Sequence, residues 1–330
     1  VGALRPATLG VTLPAVYDDF SAHLFDFHHS MLVDEVRTTG FLRAIAQQVQ
    51  PGDVVVDIGA GTGVLSLFAV LAGASKVYAI EQGPMADVAS EIVKRNNLGD
   101  RIEIINEWSL EATLPERADV LITETIGNIG FEEGILSWVA DARKRLLKPG
   151  ARIVPSTLSM VVAATESSHD YAEIARLRRP LYEFDFTPLA DLASHTMLWT
   201  DFSPVSLVTQ PATVVDIDLD TTEEVDIEGT VTLQARRDAV VHGLACWFVA
   251  EIAPGISISN EPPTKAPSWN QGFLPLPEPV SVSKGDRLPV EIRSDGDGAR
   301  WGWSLGVGEP AELTWTQPTA PPGPAPRVAY

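Results

Sequence analysis

Apolar residues in the N-terminal part of the chain recur three and four positions apart: Phe20, Leu24, Phe27, Met31 and Leu32, then Phe41, Leu42, Ile45 and Val49. That period is the stripe of an amphipathic helix, so Ala15 to Gln50 reads as helical, preceded by a loose arm over residues 1–12. Pro51-Gly52 marks a turn, after which the pattern changes to short, nearly unbroken apolar runs: Val54–Val56, Lys76–Ile80, Ile102–Ile105 and Ala118–Thr123. Runs of that kind suit parallel strands buried on both faces. Between them lie helix-length segments, Val64–Ala72, Pro84–Asn96 and Gly134–Leu147, the last stopped by Pro149-Gly150. Strand and helix alternating over residues 51–154 specify an α/β, doubly wound (Rossmann-like) parallel sheet.

Beyond residue 155 the helical period gives way to short β segments separated by turn residues. Arg152–Val154, Leu158–Ala164, Thr213–Leu219, Gly229–Ala235, Gly243–Ile252, Leu288–Arg293, Arg300–Val307 and Ala311–Trp315 all read as strands. Residues 155–330 are therefore expected to form an antiparallel β-barrel or sandwich. A helical interruption over Ser167–Leu192 carries Arg176, Arg178 and Arg179, and a Pro-rich tail, Pro318–Pro326, is expected to be extended. Three regions result: a helical segment over 1–50, the parallel sheet over 51–154, and the β half over 155–330.

Composition narrows the function classes. With 330 residues, 45% of them hydrophobic, and a mean hydropathy of +0.07, the chain can bury a large core in two domains. A formal charge of −20 argues against nucleic acid as partner and favours cationic substrates. The one cysteine, Cys246, sits in the apolar run Leu244–Val249 and reads as a core residue, leaving no disulfide and no cysteine-based metal site. With no signal peptide and no apolar stretch long enough for a bilayer, the expected location is cytoplasmic, without membrane contact.

The chemistry concentrates in the first half. Asp57-x-Gly59-x-Gly61-x-Gly63 follows an apolar strand, as a glycine-rich turn that lets a ligand approach the backbone closely. An acidic residue opens the motif, which would repel a pyrophosphate but suits the ammonium of an amino-acid-like ligand. Glu81 ends the next strand, where an acidic residue can bind both hydroxyls of a ribose; the plainer alternative is a solvated loop carboxylate. Together these features resemble a class I S-adenosylmethionine-dependent methyltransferase. Farther on, Glu124 and Glu133 stand nine positions apart around a Gly-containing loop. Two converging carboxylates suit the fork of donors on a guanidinium, although a pair near a helix N-terminus also stabilises the helix dipole.

Several segments in order resemble the protein arginine methyltransferase family: His28–Thr38, Val55–Ser66, Val77–Glu81, the two-glutamate loop Thr123–Glu133, and Leu147–Gly150 with Pro155-Ser156. Over the β half the likeness is looser, with Pro267-Ser-Trp-Asn-Gln271 standing where the family has a Thr-His-Trp loop. The resemblance implies S-adenosyl-L-methionine as cofactor. It implies that Arg37 binds the cofactor carboxylate, that Asp57, Gly59 and Gly61 line the cofactor site, and that Glu81 holds the ribose. Glu124 and Glu133 would hold the substrate guanidinium. Met31 would pack beside the reacting centre, touching cofactor and substrate, Asp34 would support Arg37, His28 would touch the cofactor, and Trp269 would border the substrate. No metal is implied. The segment about 167–192 corresponds to the family's dimerisation arm, implying a homodimer.

Departures from the family pattern shape the expected acceptor. The N-terminal aromatic motif survives only as Tyr17-Asp-Asp-Phe20. Ser268 replaces the Thr-His-Trp histidine in the segment expected to border the substrate, so any histidine–aspartate contact with Asp34 is expected to be lost. The carboxylate expected near the adenine falls at Leu110, leaving Ser109 or Glu111 as substitutes. Glu132 has no family counterpart and is expected at the surface. These changes, with no accessory domain, lean the reading towards free arginine or a small guanidino compound, as in a bacterial free-arginine-methylating branch. The alternatives are a protein arginine N-methyltransferase, a non-catalytic dimeric scaffold that binds the cofactor, and a methyltransferase for another acceptor such as a hydroxyl.

Overall fold

The computed structural model describes residues 18–316 apart from 265, 296, 297 and 299. The N-terminal arm, the helix start at Ala15, Tyr17 of the aromatic motif and the Pro-rich tail lie outside the described residues. The helical stretch resolves into two helices, α1 (Asp18–Val33) and α2 (Glu35–Gln48). They break at Asp34, whose backbone is extended and whose carboxylate accepts the N–H of Arg37, capping α2.

There follow β1 (Val54–Ile58), α3 (Val64–Ala72), β2 (Lys76–Ile80), α4 (Pro84–Arg95), β3 (Ile102–Ile105), β4 (Ala118–Thr123), α5 (Ile135–Arg145) and β5 (Leu147–Val154). The five strands pair in parallel in the order β3-β2-β1-β4-β5. β5 begins at Leu147, ahead of the expected Arg152, because a shift in register against β4 takes up Pro149-Gly150. The order reverses at β1, and ligands of such sheets bind in the crevice beyond the carboxyl ends of the strands at that point. The glycine turn after β1, Glu81 after β2 and Glu124 after β4 all lie there.

The β half comprises β6 (Thr157–Thr165), α6 (Ser168–Leu177), α7 (Thr187–Ser194), β7 (Leu198–Thr200), β8 (Ala212–Asp218), β9 (Ile227–Gln234), β10 (Ala239–Ala253), β11 (Ile256–Ser259), β12 (Gln271–Val282), β13 (Arg287–Asp295), β14 (Arg300–Leu305) and β15 (Thr314–Trp315). Two antiparallel sheets build the barrel-like half: β7-β12-β10-β6-β8 with β11 added to β10, and β15-β14-β13-β9. β12 was illegible in the sequence because Pro275, Pro277 and Pro279 argue against a strand. Its outer neighbour β7 pairs only with Gln271–Phe273, so the prolines lie where no ladder is needed on that side.

Both faces of the β6–β10 pair are buried, against different partners. Met160, Val162, Ala164, Leu244, Cys246 and Phe248 join the main core. The alternate residues Val161, Ala163, Ala245 and Trp247 pack with Tyr171 and Ile174 of α6 and Ala190 of α7. The arm is thus two short helices seated on the outside of the barrel. Arg178 ties them together, donating to Asp191 and Ser194 at 3.1 Å each. The main core itself runs without interruption from the parallel sheet through α2 into the barrel. A Cβ on Gly40 would lie 3.0 Å from Ile258 Cγ2, so the glycine lets α2 press on β11. One continuous core fixes the two halves around the crevice between them.

Candidate active site

The glycine turn is shaped by left-handed backbone that side chains rarely tolerate. Gly59 has φ +72° and Gly61 φ +54°; a Cβ on Gly59 would lie 2.8 Å from Thr125 Cγ2 and one on Gly61 3.1 Å from His28 Cε1. His28 therefore roofs the turn from α1, where burial and then Arg37 hold its imidazole below its usual pKa. From β2, the Glu81 carboxylate reaches back to accept the Gly61 N–H at 2.7 Å, and burial raises its pKa.

Asp57, at the end of β1, is fully buried. One carboxylate oxygen accepts Ser66 Oγ at 2.7 Å; the other, Oδ1, is buried and has no hydrogen-bond partner. Burial, reinforced by the charge of Glu81 and opposed by the Ser66 hydrogen bond, pushes the carboxyl up to about 7. An orphaned buried acceptor beside a close-approach glycine turn is a polar group left for a ligand or a water to satisfy.

The second cluster forms where α1, α2, β4 and the barrel meet. Asp34 caps α2 with one oxygen and with the other accepts both the N–H (3.1 Å) and the hydroxyl (2.6 Å) of Ser268. No histidine reaches Asp34, but the serine's short side chain and its own amide together occupy the carboxylate in its place. Arg37 runs inward from α2, its Nη1 donating to the Met31 carbonyl at 3.2 Å, and its guanidinium lies over the Trp269 ring. Its Nε donates to Glu124 Oε2 at 2.7 Å, and its Nη2 contacts the same oxygen. Burial raises the Glu124 pKa while Arg37 opposes the rise.

Glu133 is the open member of the loop. Its residue surface is solvent-accessible, yet burial within dense protein, then the charges of Glu132 and Glu124, push its carboxyl up to about 8. Its carbonyl accepts Trp138 Nε1 at 2.9 Å, and Trp138 meets Trp108 edge to face.

Glu132, expected at the surface, is half-buried, with its carboxylate turned towards the loop. It turns inward and accepts the Ile129 N–H at 3.1 and 3.2 Å on its two oxygens, and burial pushes it up to about 7. It fits because Gly127 has no side chain: a Cβ there would lie 2.2 Å from the Glu132 carboxyl carbon. Trp269 donates to the Ile126 carbonyl at 2.9 Å, binding the loop to the barrel.

Ser109 lies in the loop after β3 with its carbonyl accepting Arg145 at 2.8 Å. No contact among the described residues joins it to either cluster. His28, Asp57, Gly61 and Glu81 meet around the turn; Met31, Asp34, Arg37, Glu124, Ser268 and Trp269 meet around the guanidinium. Sequence reasoning missed Ser66, Glu132 and Trp138, all set by tertiary contact; only Ser66, one helical turn into α3 after the glycine motif, had a local signal.

Comparison with known proteins agrees over both halves. Residues 157–299 match the arginine methyltransferase oligomerization subdomain, and residues 36–167 match ribosomal protein L11 methyltransferase (PrmA). Protein arginine N-methyltransferase 1 of Dictyostelium discoideum is 30% identical over 278 residues, covering 82% of this chain and 81% of that protein. The Chlamydomonas reinhardtii protein of the same name is 32% identical over 284 residues, covering 84% and 82%. Among solved structures, the Trypanosoma brucei PRMT1 enzyme-prozyme heterotetrameric complex with AdoHcy superposes with a TM-score of 0.81 at 27% identity, over 89% of this chain and 98% of that one. Arabidopsis thaliana protein arginine methyltransferase 10, in an open conformation, shares the fold with a TM-score of 0.74 at 24% identity, over 90% and 100%.

Proposed function

The chain belongs to the protein arginine N-methyltransferase family, and on that premise we propose that it methylates arginine side chains presented by a protein or peptide. It is an arginine N-methyltransferase with S-adenosylmethionine as methyl donor. The observation that carries the reading is the buried carboxylate of Glu124 holding a guanidinium, here that of Arg37, beside an open second carboxylate at Glu133.

The residues present fit the donor. The turn at Gly59 and Gly61 admits it closely, the orphaned Oδ1 of Asp57 offers a buried acceptor, and Glu81 stands over the same turn. In the proposed arrangement Glu81 holds the ribose, Arg37 the carboxylate, and His28 and Met31 close the site from α1. When bound, S-adenosylmethionine supplies a methyl group on a sulfonium. Residues 51–154 would hold it, while residues 155–330 shape the acceptor's approach. Ser109, which shares no hydrogen bond with either cluster among the described residues, is the weakest member of the proposed set.

Transfer to nitrogen is an in-line displacement, and positioning and electrostatics are what it requires. A guanidinium stays protonated at neutral pH and is a poor nucleophile. Glu124 and Glu133 would hold its plane edge-on and draw positive charge away from the attacking nitrogen. As the acceptor nitrogen takes the methyl group, the proton it sheds would pass to Glu124, Glu133 or water. Glu133, its carboxyl raised by burial first and then by the charges of Glu132 and Glu124, would ionise when a cation takes its place beside it.

A protein-bound acceptor is preferred over free arginine on two grounds. The named relatives act on proteins, and the Asp34–Ser268 bond removes one departure on which the free-arginine lean rested. The oligomerization match over the arm supports a homodimer, and the cytosol is the proposed setting. The deciding experiment incubates the protein with labelled cofactor and either arginine-rich peptides or free arginine, followed by mass spectrometry. Label on peptide arginine is expected; label on free arginine alone would refute the protein-bound acceptor.

A further inference from the structure

The loop between Glu124 and Glu133 turns on its own hydrogen bonds, Gly130 N–H to the Gly127 carbonyl among them, and the barrel braces its middle. Ile129 is fully buried against Gly272, where a Cβ would lie 2.6 Å from its Cγ2, and Gly130 backs onto Phe248 in the same way, at 3.2 Å. The polar contacts converge on one residue. Asn260, just after β11, has no exposed surface. Its Oδ1 accepts the Phe248 N–H of β10 at 3.0 Å. Its Nδ2 donates to the Asn128 carbonyl at 2.7 Å and to the Asn270 carbonyl. Its own carbonyl accepts Gln271 Nε2 at 2.6 Å, and Gln271 Oε1 in turn accepts the Phe202 N–H at 2.8 Å, where the chain returns from the arm.

We propose that Asn260 is a positioning residue for methyl transfer, suspending the middle of the two-glutamate loop from the barrel so that Glu124 and Glu133 face one acceptor. Asn128 stands four residues after Glu124 and five before Glu133. A tether there restrains both ends of the loop at once. Trp269 on Ile126, and Asn270 N–H on Asn128 Oδ1 at 2.8 Å, pin the same stretch from the neighbouring loop. Every side-chain donor and acceptor of Asn260 is used. An aspartate there would turn an oxygen towards two carbonyls, and a leucine would strand the Phe248 N–H and the Asn128 carbonyl. Gln271 extends the network to the arm, so the segment that seats the arm and the loop that seats the acceptor share one polar junction.

This inference rests on the reading that Glu124 and Glu133 hold the acceptor. The test compares wild type with Asn260→Leu and with Asn260→Ser, the latter small enough to spare the packing yet too short to span from Phe248 N–H to the Asn128 carbonyl. Three measurements are made on the full chain: hydrogen exchange of the peptide spanning 124–133, cofactor affinity, and single-turnover methylation of an arginine peptide. Exchange in that peptide is expected to accelerate about tenfold or more as the loop opens. The methylation rate should fall roughly 10- to 100-fold, as expected for misplaced reacting groups, with cofactor affinity within about twofold of wild type and the secondary structure intact.

Wild-type exchange and rate in a folded Asn260→Ser protein would overturn the proposal. So would a loss of cofactor affinity as large as the loss of rate, which would mean general loosening. If wild type fails to methylate arginine while the variants still open the loop, the reading of function fails and the loop's tether to Asn260 stands.

Discussion

Arg37 and Glu124 form a buried ion pair between α2 and the end of β4, with Arg37 Nε donating to Glu124 Oε2 at 2.7 Å. A guanidinium thus already sits on one carboxylate of the proposed clamp, and it is the chain's own. The Arg37 backbone N–H is held by Asp34, which also receives Ser268, so the barrel, α2 and β4 are joined through a single run of charged groups. Such a run fixes geometry tightly because a member left unpaired in the interior is costly.

Glu124→Gln and Glu133→Gln should separate the two ends of the clamp. Each is expected to lower the methylation rate by about 100-fold or more, as for removal of a preorganised electrostatic partner. Glu133→Gln should leave the fold and cofactor affinity unchanged. Glu124→Gln also strands the Arg37 cation, so it should destabilise the free protein by about 3 kcal/mol. Peptide methylation and chemical denaturation of both variants measure the difference. Near-normal rates in both would dismiss the clamp.

Arg37→Met tests the double use of that side chain. If Arg37 passes from Glu124 to the donor's carboxylate on binding, the variant should lose at least about tenfold in cofactor affinity, the scale of one charge-assisted pair. Isothermal titration gives the number directly. Unchanged affinity would confine Arg37 to its bond with Glu124.

The parallel sheet and its ligand side were readable because each strand is a short apolar run and Asp57, Glu81 and Glu124 sit at or just after strand ends. Arg37 and Glu124 were both named from sequence, but not as partners, since 87 positions separate them and no local pattern encodes the pairing. Glu132 was misplaced for the same reason: only the missing side chain of Gly127 makes room for its inward turn. β12 was hidden by prolines that an open strand edge tolerates. The Ser268–Asp34 bond was not legible because 234 positions separate the two residues and no local pattern encodes their meeting.

Acidic groups held neutral give the free protein a pH dependence of definite sign. The carboxyls of Asp57 and Glu132 are raised to about 7 and that of Glu133 to about 8, above their values in an unfolded chain. Between about pH 4.5 and 8 the folded state binds more protons than the unfolded one, so these groups' contribution is full at low pH and is lost as pH rises. Tm of the cofactor-free protein is expected to fall by roughly 5 °C from pH 6 to pH 8.5 on their account. The Glu133→Gln variant should show a shallower slope. A wild-type Tm that rises over the same range would contradict the assignment.

The tip of the arm carries the prediction for assembly. Leu181 and Phe184 exchange backbone hydrogen bonds at 3.0 and 2.9 Å, closing a two-residue turn. Its central residues, Tyr182 and Glu183, have φ of 54° and 68°, a region costly for a side chain as large as tyrosine. Tyr182 is 87% exposed and Phe184 69%, so within the chain neither aromatic gains much from its placement. Such surface is stabilised when a second copy covers it. Replacing both Tyr182 and Phe184 with serine should therefore convert a dimer into a monomer by light scattering. The Tm of the isolated chain should hardly move, because little is buried there to lose. A double variant that remains dimeric at wild-type affinity would remove the arm tip from the interface.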